Sequence, residues 1–294
     1  MTNIVFIGGT GRCGTNIMKD ILSLHPKVAS HPFEYKFIID PDGIIDFYTT
    51  ATSCWSPYII NKKLHRLEKF LNLLAKADDK KIYKGWELEN HLPDYSEKCK
   101  KLIESLVDLR YTGFFYGLKD VSEIYFMRYR SRSELQNVLG DFIRDLISGY
   151  LEKTGKEVYV EDNTFNTLFA RELLELIPEA KIICMLRSPK DVISSLSKQR
   201  WAPDDKIDAA IWYKSVIDRW NTIKTEIPEE SFMEVDLYQL VDNTENILKD
   251  VSEFIGLNYD KKMLDVNLNK SNRNRWKGDF TEEENVNIEK KLKK

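Results

Sequence analysis

The chain has 294 residues, 42% of them hydrophobic and 31% charged, with a formal net charge of −3 at pH 7. That is the balance of an ordinary globular protein, long enough for one domain with a large core or a domain carrying a helical elaboration. The slight acidic excess argues against nucleic acid or an anionic membrane as main partner, and leaves room for a local basic pocket. Cys13, Cys54, Cys99 and Cys184 show no metal-ligand spacing and no pairing framework, so they read as reduced thiols. With no signal peptide and no long apolar run, the expectation is a cytoplasmic protein without a membrane span.

Ile4–Ile7 is a short apolar run rich in β-branched and aromatic residues, the pattern of a buried strand. Gly8, Gly9, Gly11 and Gly14 follow closely, and Ile17, Ile21, Leu22 and Leu24 then recur at helical spacing, with Thr15 or Asn16 as the expected cap. A strand, a glycine loop and a helix N-terminus together cradle an anion, because main-chain N–H groups are accessible and the helix dipole favours negative charge. Gly9 and Gly14 fit the G-x-x-x-x-G of a nucleoside-triphosphate loop. Thr15 and Asn16 stand where its Lys and Ser/Thr belong, so an ordinary ATPase or GTPase is not expected. Gly9, Gly11 and Gly14 also fit G-x-G-x-x-G, with Glu34 placed to hold a ribose, and this keeps a Rossmann-type dinucleotide-binding oxidoreductase open as the rival. Arg12 adds a fixed cation inside the anion loop.

Lys27–Ser30 reads as a second short strand, followed by the polar-aromatic loop His31–Lys36. From Gly43 to about Leu109 the pattern is mainly helical, with Phe47, Tyr48, Trp55, Tyr58, Phe70 and Trp86 as aromatic anchors and Asp78–Lys81 as a charged turn. Tyr111–Arg132 mixes Phe114, Phe115, Tyr116, Tyr125, Phe126 and Tyr129 with Lys119, Arg128, Arg130 and Arg132. It is left open between a substrate cleft and a helix with snorkelling arginines. Leu135–Leu151 has the period of an amphipathic helix. Strands at Glu157–Val160, Lys181–Leu186 and Ser231–Val235 then alternate with helices at Phe165–Ile177, Asp191–Lys198, Ile207–Ile223 and Glu245–Ile255, and a last helix covers Glu282–Leu292. The fold class is therefore α/β, a parallel β-sheet flanked by helices. Residues 1–294 read as a single domain, with a mainly helical, substrate-side insertion at about 43–151.

The strand Lys181–Leu186 ends in Arg187-Ser188-Pro189, where Pro189 suits a first helical turn with Ser188 as its cap. Arg187 then stands at the carboxyl end of a parallel strand, where such sheets bind ligands, and Ser195 lies about two turns on. An Arg fork and a hydroxyl there can hold a second phosphate.

GTGRCGTN followed by a helix and His25-Pro26 resembles the 5′-phosphosulfate loop of sulfotransferases, which use 3′-phosphoadenosine 5′-phosphosulfate (PAPS); RSPKDVISS resembles their 3′-phosphate motif. The segment from Trp212 to Leu257 looks like the family's later helix-strand-helix, and Asn274–Phe280 is similar to a shortened form of its C-terminal cofactor lid. The resemblance covers both ends of the chain but not roughly Phe47–Leu151. It implies a nucleoside-triphosphate-hydrolase-like sheet, with Gly11, Arg12, Cys13, Gly14, Thr15 and Asn16 on the 5′-phosphosulfate. Arg187 and Ser195 would take the 3′-phosphate, and Arg275, Trp276 and Lys277 would close over it. Cytosolic relatives carry Lys where this chain has Arg12, the common Ser is Cys13 here, and the lysine several relatives place in Glu161–Thr164 is absent. Lys119 or Lys36 is the candidate substitute.

The implied reaction moves a sulfuryl group from PAPS to a hydroxyl of a carbohydrate, phenol or glycolipid and leaves adenosine 3′,5′-bisphosphate, without a metal because the anhydride is already activated. Arg12 would stabilise the leaving oxygen. Glu34 is the candidate general base, desolvated by Phe33, Tyr35 and Phe37, and His31 is its substitute. A non-catalytic protein that binds PAPS or the bisphosphate is the other alternative. The sequence is silent on oligomeric state.

Overall fold

The computed structural model describes residues 3–76, 86–113, 122–266, 268 and 272–293. Asp78–Lys81, Phe114, Phe115, Tyr116 and Lys119 lie outside the described residues. The strands are β1 Asn3–Gly9, β2 Val28–Ser30, β3 Leu109–Gly113, β4 Ser122–Phe126, β5 Val158–Glu161, β6 Lys181–Leu186 and β7 Phe232–Asp236. The chain groups into two compact units.

One unit comprises Asn3–His31, Glu157–Arg171 and Glu179–Lys294. It holds a parallel sheet in the order β2-β5-β1-β6-β7. Val5 and Ile7 of β1, Val158 and Val160 of β5, and Ile183 and Met185 of β6 share one apolar core with Met18, Ile21 and Leu22 of the first helix, Thr15–Ser23. Ile4, Phe6, Tyr159, Ile182 and Cys184, on the alternate positions, are buried as well. Both faces are thus covered, which is why these strands read as apolar runs rather than alternations. Gly9 is opposite Met185 and Leu186 opposite Asp236, so β1, β6 and β7 end at one edge of the sheet. The order also removes the dinucleotide rival. In that fold the strand leading to the ribose-binding acid neighbours the glycine-loop strand, whereas here β5 lies between β1 and β2.

The expected helix Phe165–Ile177 is divided into a 3₁₀ turn, Asn166–Phe169, and an α-helix, Ala170–Leu176. Packing on β1 imposes the tighter turn. The buried Asn166 amide donates to the Ile7 carbonyl (3.0 Å) and to the Glu161 carboxylate, and a Cβ at Gly8 would meet the Thr167 nitrogen at 2.7 Å.

The second unit comprises Pro32–Lys156 and Glu172–Pro178. Its long helices are Ile44–Ser53, Pro57–Ala75, Tyr95–Leu106 and Arg132–Thr154. The last begins before the apolar period does, because Ser131 and Glu134 form a reciprocal capping box, and it stops at Gly155 in the left-handed region. The segment left open at Tyr111–Arg132 takes in the end of β3 and all of β4, an antiparallel pair with Tyr111 opposite Ile124. Tyr125 donates its N–H to Asn61 on the Pro57–Ala75 helix (2.8 Å), and His65 stacks on the Tyr125 ring at 4.0 Å. The Tyr48 hydroxyl donates to Glu175 (2.6 Å) and accepts from Arg132 (2.9 Å), tying Glu172–Pro178 to this unit. Burial and the Glu175 carboxylate push that phenol up to about 12.

Candidate functional site

The loop after β1 is left-handed at Gly11 (φ 77°), Arg12 (φ 56°) and Gly14 (φ 105°). Gly14, and not Thr15 or Asn16, is the N-cap of the Thr15–Ser23 helix, and its carbonyl accepts from the Met18 N–H at 3.0 Å. The positive φ selects glycine over the better side-chain cappers. Thr15 and Asn16 consequently occupy the first turn, which carries no acidic residue, so nothing there opposes an incoming anion. Cys13 is fully buried, its sulfur close against Gly9, and burial pushes its thiol up. Its main chain belongs to the loop, but its side chain belongs to the core.

Arg187 follows β6 directly. Pro189 opens the Pro189–Leu196 helix as expected, whereas Ser188 occupies the N-cap position without making a side-chain cap. The Arg187 guanidinium donates to the carbonyls of Arg12 and Asn272, both at 3.0 Å, and to the Tyr238 hydroxyl at 3.4 Å. Ser195 accepts from Arg12 Nε at 3.0 Å. The two expected anion elements are therefore in direct contact. They line one cavity of about 380 Å³ that includes Arg12, Gly14, Thr15, Asn16, Arg187, Ser195 and Arg275. Thr164, Trp201, Leu237 and Asn272 complete much of its wall, and sequence reasoning did not find them. Thr164 was reachable, since it follows the carboxyl end of β5, and its carbonyl accepts from Gly9 N–H at 2.9 Å. The half-exposed Trp201 stands edge-on to Trp212, with ring centroids 5.4 Å apart.

The C-terminal segment is held by carboxylates. Buried Asp191 accepts from the N–H groups of Asn274 (3.0 Å) and Trp276 (3.4 Å), while Asp279 accepts from Ser194 and Lys198. Hydrogen bonds from Lys198 and Ser194 hold the Asp279 carboxyl below its usual range. Of the three residues expected to close the site, Arg275 lines the cavity. Trp276 packs against the Lys190 ammonium, 4.3 Å from the ring centre, and against Phe280; Lys277 is exposed outside the lining.

Glu34 belongs to the helical unit. Its carboxylate is ion-paired with Lys36, which also approaches Asp40 at 3.6 Å, so the charge of Lys36 is taken up within its own segment. Trp86 donates to the Glu34 carbonyl at 2.8 Å. Tyr35 and Phe37 are fully buried and pack on one another, with Phe33 against Trp86. His31, directly after β2, is 3% exposed. A cation missed by the sequence reading stands beside Asp162: Lys19 lies 3.0 Å from that carboxylate, with both side chains buried. Among the described residues no cluster could hold a metal ion, and no helix is long and apolar enough to cross a membrane.

Solved structures of sulfotransferases resemble the fold. The sulfotransferase domain from the Synechococcus PCC 7002 olefin synthase matches with a TM-score of 0.56 at 14% identity, over 99% of this chain and 93% of that one. Sulfotransferase STF1 from Mycobacterium tuberculosis H37Rv matches with a TM-score of 0.50 at 12% identity, over 99% and 76%. No curated protein matches in sequence. Residues 4–261, which include the anion loop, Arg187 and Ser195, match the sequence pattern described as the sulfotransferase family. The chain belongs to the sulfotransferase family.

Proposed function

We propose that the protein transfers a sulfuryl group from PAPS to an acceptor hydroxyl and releases adenosine 3′,5′-bisphosphate. The observation that supports this most is that Arg12, Gly14, Thr15 and Asn16 of the anion loop line one cavity of about 380 Å³ together with Arg187 and Ser195. A nucleoside with phosphates at its 5′ and 3′ ends needs two such elements in one pocket. Three guanidiniums and no carboxylate line it among the described residues, a donor set that fits a multiply charged anion.

PAPS would supply the activated sulfuryl group. The loop N–H groups and the helix N-terminus would orient its 5′ end, while Arg187 and Ser195 would fix its 3′-phosphate and Arg275 would approach from the C-terminal segment. Arg12 is always protonated, so it would stabilise negative charge on the leaving oxygen rather than donate a proton. Catalysis would rest mainly on positioning and charge, as in phosphoryl transfer. Glu34 is the proposed acceptor of the hydroxyl proton, with His31 as its substitute. The reading requires no metal, since the anhydride is already activated. Both units are taken to serve one sulfotransferase domain in the cytoplasm. The aromatic and arginine-bearing stretch at about 43–151 would meet a carbohydrate, phenol or glycolipid.

Thermal unfolding with added nucleotides tests the donor half. A ligand that binds only the native state stabilises it by about 2.7 kcal/mol at 100 times its Kd. Adenosine 3′,5′-bisphosphate should therefore raise Tm well beyond NAD, NADP or ATP. A larger shift with NAD overturns the reading. Label transfer from PAPS to a panel of hydroxyl acceptors tests the catalytic half, and tight bisphosphate binding without transfer would mark a binding protein instead.

A further inference from the structure

Asp191 is 1% exposed, and no lysine or arginine pairs with it among the described residues. A buried carboxylate needs donors, and this one takes them from two separate places. The Asn274 and Trp276 N–H groups bond to it from the C-terminal segment, at 3.0 and 3.4 Å, and the Tyr238 hydroxyl bonds to it from the short helix Leu237–Asp242 after β7. Tyr238 in turn receives Arg187 Nε at 3.4 Å, and Arg273 covers its ring at 4.5 Å. Arg187 closes the circuit by donating to the Asn272 carbonyl at 3.0 Å. The ring runs from Arg187 to Tyr238, to Asp191, to the 272–276 segment and back to Arg187.

We propose that Asp191 is a positioning residue: through the Tyr238 hydroxyl it aims the Arg187 guanidinium, and through two main-chain N–H groups it seats the segment that carries Arg275. The inference rests on the proposed donor site and adds to it. Neither Asp191 nor the Tyr238 hydroxyl touches the ligand in this scheme. Through the Tyr238 hydroxyl both remove orientations in which Arg187 points away from the 3′ position, so that larger part of their effect depends on Arg187 being present.

The test is a mutant cycle read by calorimetry, using adenosine 3′,5′-bisphosphate and adenosine 5′-phosphosulfate, which lacks the 3′-phosphate. Asp191→Asn should weaken the bisphosphate about 10-fold and the phosphosulfate less than about 2-fold. In an Arg187→Ala background the same change should cost less than about 3-fold for the bisphosphate, because the group it positions is gone. Tyr238→Phe keeps the ring under Arg273 and removes only the hydroxyl. It should follow the same pattern more mildly, and it carries the test if Asp191→Asn fails to fold. An equal loss in the two backgrounds, or equal losses for the two ligands, would make Asp191 a structural carboxylate and overturn the proposal. If Arg187→Ala itself leaves bisphosphate binding intact, the donor site falls and takes this proposal with it. If Arg187→Ala weakens binding while Asp191→Asn and Tyr238→Phe do not, only the positioning role falls.

Discussion

Gly11→Ala perturbs the anion loop at the point where conformation and packing both demand glycine. With φ at 77°, any other residue is strained, and a Cβ would meet the end of the Trp201 ring at 2.9 Å. The left-handed conformation alone costs an L-residue roughly 1–2 kcal/mol. The Trp201 ring can give way, because that residue is half-exposed, but it then leaves its seat against Trp212 and enters the cavity. Gly155→Ala supplies the control: φ is 65° there, and an added Cβ has nothing within 4 Å. At about 2–3 °C per kcal/mol for a chain of this length, both variants should lose about 2–6 °C in Tm from strain. Gly11→Ala should lose more, and it alone should weaken adenosine 3′,5′-bisphosphate, by about 10-fold or more for a displaced charged hydrogen bond. Differential scanning calorimetry and titration calorimetry read the two effects separately. Equal Tm losses, with wild-type affinity in Gly11→Ala, would refute the reasoning that Trp201 and the loop form one wall of the site.

Glu34→Gln keeps shape but cannot accept a proton, so kcat should fall by about 10²–10⁴-fold with bisphosphate affinity unchanged. Near wild-type kcat in the folded variant removes Glu34 from the mechanism and moves the search to His31. Glu134 reports on acid stability: hydrogen bonds from Arg128 and from the Ser131 N–H and hydroxyl lower its carboxyl from 4.5 to about 2 in the folded protein. A depressed carboxylate stabilises the fold above its unfolded value, and that contribution disappears as pH falls from about 4.5 toward 2. The gap in urea midpoint between wild type and Glu134→Gln should therefore be larger at pH 7 than at pH 3. A gap that stays constant would mean that the capping box works without its charge.

The central strands were legible because β1, β5 and β6 are buried on both faces and leave short apolar runs. Arg187 was legible for a related reason, standing at the end of one of those runs and just before a helix-starting proline. β3 was not legible: four of its five residues are exposed, so no alternation marks it. Gly14 was passed over as a cap because Thr15 and Asn16 are better cappers by chemistry, and only the left-handed turn of the chain decides otherwise. Trp201, Tyr238 and Asp191 became functional candidates only through contacts between segments far apart in sequence. Nothing in the sequence distinguishes Lys19 from other helix lysines; only the fold brings Asp162 beside it.

The strand order has a consequence for how the protein is made. β1 is made before the other described strands, yet its partners lie far downstream, with Ile4 against Tyr159 and Val5 against Lys181. At about 5–20 residues per second, the nascent chain waits roughly 10–30 s before those partners exist. The helical unit cannot finish early either, because Glu175, which receives Tyr48 and Arg132, comes after β5. Until β5 and β6 are made, the chain carries an apolar strand, β1, whose partners do not yet exist. Non-local parallel pairing is slow even once every strand is present. Yield in a heterologous host should thus be governed by the events before residue 181 is made, and a slower elongation rate or a holding chaperone acts in that window rather than on the finished fold.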